Sequence, residues 1–219
     1  MNAIKKTAAA IGVALTALAS AGSAWAWPDK PVTIIVPFPA GGSTDTIARS
    51  LGNHLGDQFK QTFVVDNKAG ATGSIGAAQV ARAPGDGYTL LVSSLAPLVV
   101  APHLIKGLTY DPLKDFTYIT VAVQTPNVLV VNPTLAAKVN TVQDVLAMLK
   151  AKPGAVSFAT SGAGSSDHLT AELFWQKTGT QGLHVPYKGG APATADLLGS
   201  QVDMSFQNCL LYTSPSPRD

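Results

Sequence analysis

A chain of 219 residues carries 15 Lys plus Arg against 13 Asp plus Glu and a single cysteine, Cys209. It holds no run of basic residues, which argues against a nucleic-acid surface, and a lone cysteine excludes an internal disulfide framework. No stretch after the N-terminal segment reaches the ~20 apolar residues that a membrane-spanning helix needs.

In chain order, the basic pair Lys5-Lys6 precedes an apolar run from about Thr7 to Ala19 and small residues ending in Ala24-Trp25-Ala26. This order predicts a secretory signal peptide over 1–26, cleaved after Ala26, and therefore an exported protein. Val32 to Val36 reads as a strand. Thr44 to Leu55 reads as a helix with Ile47, Leu51 and Leu55 on one face, and Thr62 to Asp66 as a second strand. A glycine-rich loop then runs into a helix from about Ser74, and Tyr88 to Ser93 is a third strand. The region APHLIKGLTYDPLKDF is looser and leads to two β-rich runs, Thr117 to Val123 and Asn127 to Val131.

After Asn132-Pro133 the rhythm restarts. Thr141 N-caps a helix to Lys150; Val156 to Thr160 is a strand; Ser165 to Thr178 is a helix. Leu183 to Pro186, Ala191 to Leu198 and Val202 to Phe206 follow as strand, helix and strand. Alternation of this kind predicts a mostly parallel α/β architecture in two lobes, 27–125 and 126–208. The last residues, CLLYTSPSPRD (209–219), have no apolar period and resemble a translated sequencing adapter, so they are set aside as a non-native tail together with Cys209. Without both ends, twelve basic residues face twelve acidic ones.

Two loops carry the functional signal. FPAGGSTDT (38–46) follows the first strand, and ATSGAGSSDHL (159–169) spans the end of the corresponding strand in the second lobe. Each places glycines, then Ser or Thr and Asp, between a strand end and a helix start, where ligands bind in open α/β sheets. Glycine lets the backbone come close to a ligand. The free N–H groups of a helix's first turn attract an anion without a formal positive charge. The hydroxyls of Ser43, Thr44, Ser161, Ser165 and Ser166 are candidate extra donors. Asp45 reads either as an N-cap or as a contact to an amino group of the ligand, and Phe174 and Trp175 read as packing residues.

WPDKPVTIIVPFPAGGSTDTIAR resembles the N-terminus of tripartite tricarboxylate transporter substrate-binding proteins, the Bug-type family. The likeness continues through VVDNKAGATGSIGAAQVARAPGDGYTLLVSS, LTYDPLKDFTYIT, FATSGAGSSDHLTAELF and VPYKGGAPATADLLGSQVDMSF. The resemblance implies a type II periplasmic-binding-protein fold, two α/β lobes around a ligand cleft. It implies a monomer, not an enzyme, with no cofactor or metal. Such a protein captures a small organic carboxylate (dicarboxylate, tricarboxylate, aromatic acid or amino acid) and delivers it to a membrane permease. Carried over by motif, ligand contacts fall on Phe38, Ala40, Gly41, Gly42, Ser43, Thr44 and Asp45 of the first loop. In the second they fall on Thr160, Ser161, Gly162, Ala163, Gly164, Ser165 and His168. Ser93 and Ser94, with Tyr187, Lys188 and Gly189, line the cleft. Family members continue well past Asp219, so the resemblance also implies a first lobe without its returning elements, prone to aggregation.

Other classes fit less well. A serine hydrolase would need a base and an orienter beside Ser165, and no G-x-S-x-G elbow is present. His54, His103, His168 and His184 lack zinc-ligand spacing, and GATGSIG lacks dinucleotide order. A sensory protein that presents its bound form to a receptor kinase shares every feature of the transport reading.

Overall fold

The structure, a computed structural model, describes residues 27–208; the segments read as a signal peptide and as a foreign tail lie outside the described residues. Among the described residues no helix is long and apolar enough to cross a membrane.

The first sheet has three parallel strands: β1 (Val32–Val36) in the centre, flanked by β2 (Phe63–Asn67) and β3 (Thr89–Leu91). β1 is buried along almost its whole length, which is why its sequence is a continuous apolar run rather than an alternation. Helix α1 (Ser43–Phe59) links β1 to β2. Its buried positions are Asp45, Ala48 and Gly52, not the larger Ile47, Leu51 and Leu55, which stay half-buried at the flank. Small residues on the contact stripe let the helix settle close to Ile34 and Phe63.

Helix α2 (Ser74–Ala81) covers the opposite face of this sheet. Its Gly76 sits so close to the end of β1 that an added Cβ would come within 2.9 Å of Pro37 Cα and of the Lys68 carbonyl. A π-turn at Ala96–Val100 leads into the region expected to be loose, which itself begins with a short helix, α3 (Ala101–Leu104). Pro97 and Pro102 occupy first-turn positions, where the missing N–H has no helical partner in any case.

The second sheet has the order β4-β7-β5-β6, built from β4 (Asn127–Val131), β5 (Ser157–Thr160), β6 (Leu183–Pro186) and β7 (Met204–Asn208). β5 pairs in parallel with β6 and β7 and β4 runs antiparallel to β7, in keeping with the mostly parallel architecture expected. After the short helix α4 (Pro133–Ala136), helices α5 (Val142–Ala151) and α6 (Ser166–Thr178) lie over one face. Phe158, Trp175 and Phe206 meet there in a core that also buries Leu149 and Met204. Helix α7 (Gly190–Leu198) covers the other face through Ala193 and Leu197.

The expected strand Thr117 to Val123 is absent. That segment is extended but unpaired, with Ile119 and Val121 79% and 71% exposed. β-Branched composition favours a paired, half-covered surface, and no neighbouring strand supplies one among the described residues.

Candidate functional site: two braced glycine loops

The loop after β1 turns at Gly41, whose φ of +82° is accessible to glycine at little cost, and starts α1 at Gly42. Gly42 is the N-cap and no side chain caps the helix there, so Asp45 is not the N-cap the sequence suggested. It is the third helical residue, and its buried carboxylate reaches back to accept the Gly41 N–H at 2.9 Å. Arg49 Nε and Asn67 Nδ2 complete its shell, each at 3.0 Å, and Asn67 also donates to the Phe38 carbonyl. Burial pushes the Asp45 carboxyl up. Hydrogen bonds from Arg49, Gly41 and Asn67, with the Arg49 charge, outweigh it and hold the group below the usual carboxylate range. With three donors on its carboxylate and its side chain buried, Asp45 has little access to a ligand amine.

This brace leaves the helix start open. The first N–H groups of a helix have no partner within the helix. Those of Gly42, Ser43 and Thr44 have none from side chains among the described residues, nor do the Ser43 and Thr44 hydroxyls. All three residues are partly exposed and Ala40 and Gly41 fully so, which leaves the dipole's positive end accessible to solvent.

The loop after β5 uses the same device. Buried Asp167, the second residue of α6, accepts the Ser161 N–H at 2.6 Å. Here, however, most polar groups are already engaged. Ser165 Oγ caps the His168 N–H and donates to the Gly162 carbonyl, and Ser166 Oγ accepts from Asn208 Nδ2. Ser165 is therefore the N-cap of α6, its hydroxyl proton given to Gly162, whereas Ser166 only accepts and keeps its own proton to donate. The Ser165 hydroxyl does not meet the His168 ring, so no nucleophile–base pair forms. Thr160 is buried beneath the loop, bonded to His184 Nε2 at 2.7 Å. The His168 ring stacks on His184 at 4.0 Å and accepts the Gly164 N–H at Nδ1. Ala163 is exposed, Ser161, Gly162, Ser165 and Ser166 are half-buried, and Gly164 is buried.

The two lobes touch beside these loops, the second loop against the turn before α2, and Gly189 and Ala191 against the first loop. Thr72 Oγ1, from the turn before α2, donates to the Ala163 carbonyl across the gap at 3.2 Å. A Cβ on Gly164 would stand 3.1 Å from Val100 Cγ1, and one on Gly189 would stand 3.1 Å from the Pro39 ring. Ser93 and Ser94 follow β3 and are half-buried, with Ser93 Oγ donating to the Ser94 carbonyl and Ser94 Oγ accepting from Ala96. The Tyr187 hydroxyl donates to Asp196 at 2.7 Å, and Lys188 is exposed beside Gly189. Burial and the Asp196 partner push the Tyr187 phenol up to about 12. Two surface depressions, about 460 and 540 Å³, lie elsewhere: one beside Glu172 and Trp175, the other beside Ile75 and Arg82.

The bracing partners are not visible in the sequence. Asn67 lies 22 residues from Asp45, and His184 lies on the strand next to Thr160. An Asp early in each helix is the available signal, and by itself it points to a cap.

Two α/β lobes that meet at the carboxyl ends of their central strands define the periplasmic-binding-protein class of fold. The chain belongs to the tripartite tricarboxylate transporter family receptor (TctC) family, whose sequence profile matches residues 47–214. Protein BugT of Bordetella pertussis is 43% identical over 199 residues, covering 90% of this chain and 60% of that protein. A solved structure described as a periplasmic transporter is 43% identical with a TM-score of 0.81, covering 85% of this chain and 62% of its own. R. palustris Rpa4515, solved with adipate, is 35% identical with a TM-score of 0.79 over 85% of this chain and 62% of that one. MatC (Rpa3494) from Rhodopseudomonas palustris, solved with bound malate, is 29% identical with a TM-score of 0.76, covering 85% and 63%. The chain thus spans 60% of the length of BugT.

Proposed function

We propose that this chain is the solute-binding part of a tripartite tricarboxylate-type transporter, periplasmic and monomeric, and that it captures a small carboxylate between its two glycine loops. The observation that carries this reading is the open start of α1, where Gly42, Ser43 and Thr44 offer N–H and hydroxyl donors with no competing side-chain partner among the described residues. Ser161, Gly162 and Ala163 approach from the other lobe, and Ser93, Ser94, Tyr187, Lys188 and Gly189 form the walls. The adipate and malate complexes of the relatives support a carboxylate as the solute class. A hydrogen bond to a charged group contributes about 1.5–3 kcal/mol. Three or four of them, less the cost of immobilising the solute, place the affinity near the micromolar range. Family membership supports delivery to a membrane permease.

The test is a thermal-shift and calorimetric comparison of adipate, malate and citrate with adipamide, which matches adipate in shape but carries no charge. A carboxylate at 100 times its Kd stabilises by about 2.7 kcal/mol, and Ser43→Ala with Thr44→Ala weakens that response. Equal stabilisation by adipamide, or no response to any carboxylate, overturns the reading.

A further inference from the structure

His168, half-buried near the start of α6, is bonded to the second loop and stacked on a ring of β6. Its Nδ1 lies 3.0 Å from the Gly164 N–H, a group that only donates, so Nδ1 must be the bare nitrogen and the proton sits on Nε2. Nε2 in turn points to Glu172 Oε1 at 3.5 Å. The other face of the ring stacks on His184 at a centroid distance of 4.0 Å and an interplanar angle of 21°. His184 Nε2 meets Thr160 Oγ1 at 2.7 Å, and the same hydroxyl lies 3.3 Å from the Gly162 N–H. Both glycines of the second loop are thus tied, directly or through one hydroxyl, to an imidazole.

Gly164 is the point where this matters. At φ +78° it lies against Val100, Leu104 and Thr72 of the first lobe, and its neighbour Ala163 accepts the Thr72 hydroxyl. Moving Gly164 moves the surface on which the lobes touch.

We propose that His168 is a positioning residue that holds the second loop in its lobe-contacting shape only while its imidazole is neutral, so that acidification releases Gly164 and loosens the contact between the lobes. A protonated ring has no lone pair at Nδ1, and two donors would then face each other across 3.0 Å. The charged or titratable groups around the pair are Asp167 and Glu172 on α6 and His184 on β6. Across from α6, Asn127 on β4 bonds Thr170 and Asn208 on β7 bonds Ser166, both through uncharged amides. Burial, and then the facing His168 ring, hold the His184 imidazole below the usual histidine range, against the opposing pull of Glu172 and Asp167. His184 is thereby harder to protonate than an ordinary imidazole. The consequence for solute capture rests on the reading above; the loop's response to protons does not.

The experiment is an NMR titration of the full chain without solute, from about pH 8 to about pH 5.5, across the range in which imidazoles take up protons. The readouts are the Gly164 amide shift and the nitrogen–nitrogen coupling through its hydrogen bond to His168 Nδ1. The expected result is a coupling at the upper pH that vanishes at the lower one. His168→Asn restores an acceptor that cannot titrate, so it rescues the loop geometry but abolishes the pH response. His168→Leu gives the acid-like Gly164 shift at both ends, and His184→Phe, which keeps a stacked ring, still titrates. A Gly164 amide indifferent to pH, or a His168→Asn chain that titrates as the original does, overturns the inference.

Malate affinity measured in parallel falls by up to about tenfold per pH unit, the limit for one linked proton, and does so in the original chain but not in His168→Asn. The ionisation of malate itself is common to both and cancels. If the Gly164 titration is present and no carboxylate binds, solute capture fails and the positioning role stands. If a carboxylate binds and the Gly164 amide ignores pH, the positioning role fails and solute capture stands.

Discussion

Asp45→Ala removes the brace of the first loop. The side chain is 5% exposed and accepts three hydrogen bonds, from Gly41 N–H, Arg49 Nε and Asn67 Nδ2. At about 1.5–3 kcal/mol for each bond to a charged acceptor, the ceiling is about 5–9 kcal/mol. Most of that is recovered, because the Arg49 side chain is 51% exposed and Gly41 lies at the surface, so both donors turn to water. An ion pair with one solvated partner contributes about 0–1 kcal/mol. What remains is the half-buried Asn67 amide left without its acceptor, together with a loop no longer tied to its helix. The expected loss is about 2–3 kcal/mol, or roughly 4–12 °C in melting temperature for a chain of this size.

Denaturant melts of both proteins at several pH values check it. The Asp45 carboxyl is held below its ordinary range, so its contribution is complete above about pH 4, the unfolded-state value, and disappears as pH falls through the lowered one. The two stability curves should therefore run parallel from neutrality to about pH 4 and converge below it. A difference under about 0.5 kcal/mol at neutral pH, the size of an ordinary surface substitution, or one that persists in strong acid, refutes the reasoning.

Thr141→Ala removes the capping box at the start of α5, in which Thr141 and Asp144 exchange hydrogen bonds; urea melts should show a loss of about 1 kcal/mol. Backbone bonds from Asn140 and Thr141 and the Thr141 hydroxyl hold the Asp144 carboxyl below its usual range, so this cap too weakens only in acid. Gly76→Ala drives a methyl against backbone at Pro37 and Lys68, 2.9 Å away, and should cost about 1–3 kcal/mol even though alanine is the better helix former. Ile119→Asp with Val121→Asp falls on the exposed unpaired segment, so melts should shift by no more than about 0.5 kcal/mol per substitution while dye binding to apolar surface drops; a larger loss would mean that the segment is covered in solution.

Where one residue's neighbours in sequence decide its structure, the chain is legible. β1 and β6 begin and end where the apolar runs do, and the Thr141 cap follows from a Thr three residues before an acidic side chain. What stays hidden depends on partners. Thr117 to Val123 has the composition of a strand, but composition does not supply a neighbour to bond with. The direction of β4 is illegible because it is set by β7, which arrives more than seventy residues later and runs against it. The α1 face escapes a reading by large apolar residues because burial goes to the small ones that permit close approach. At the site, glycines between strand and helix mark both loops. The jobs of Asp45, Asp167 and His168 are hidden because each supports its loop from within.

The order β4-β7-β5-β6 has a consequence for synthesis. β7, the last of these strands along the chain, is inserted between two made earlier. It carries Met204 and Phe206, without which Phe158 and Trp175 have no floor to pack on. A ribosome adding roughly 5–20 residues per second needs about 4–15 s to get from Val131 to Met204, its partner on the neighbouring strand. During that interval β4 and β5 both present bare edges to whatever is nearby, including one another in a wrong register. The second lobe cannot form piecemeal as it emerges; it waits for one late segment and then closes at once.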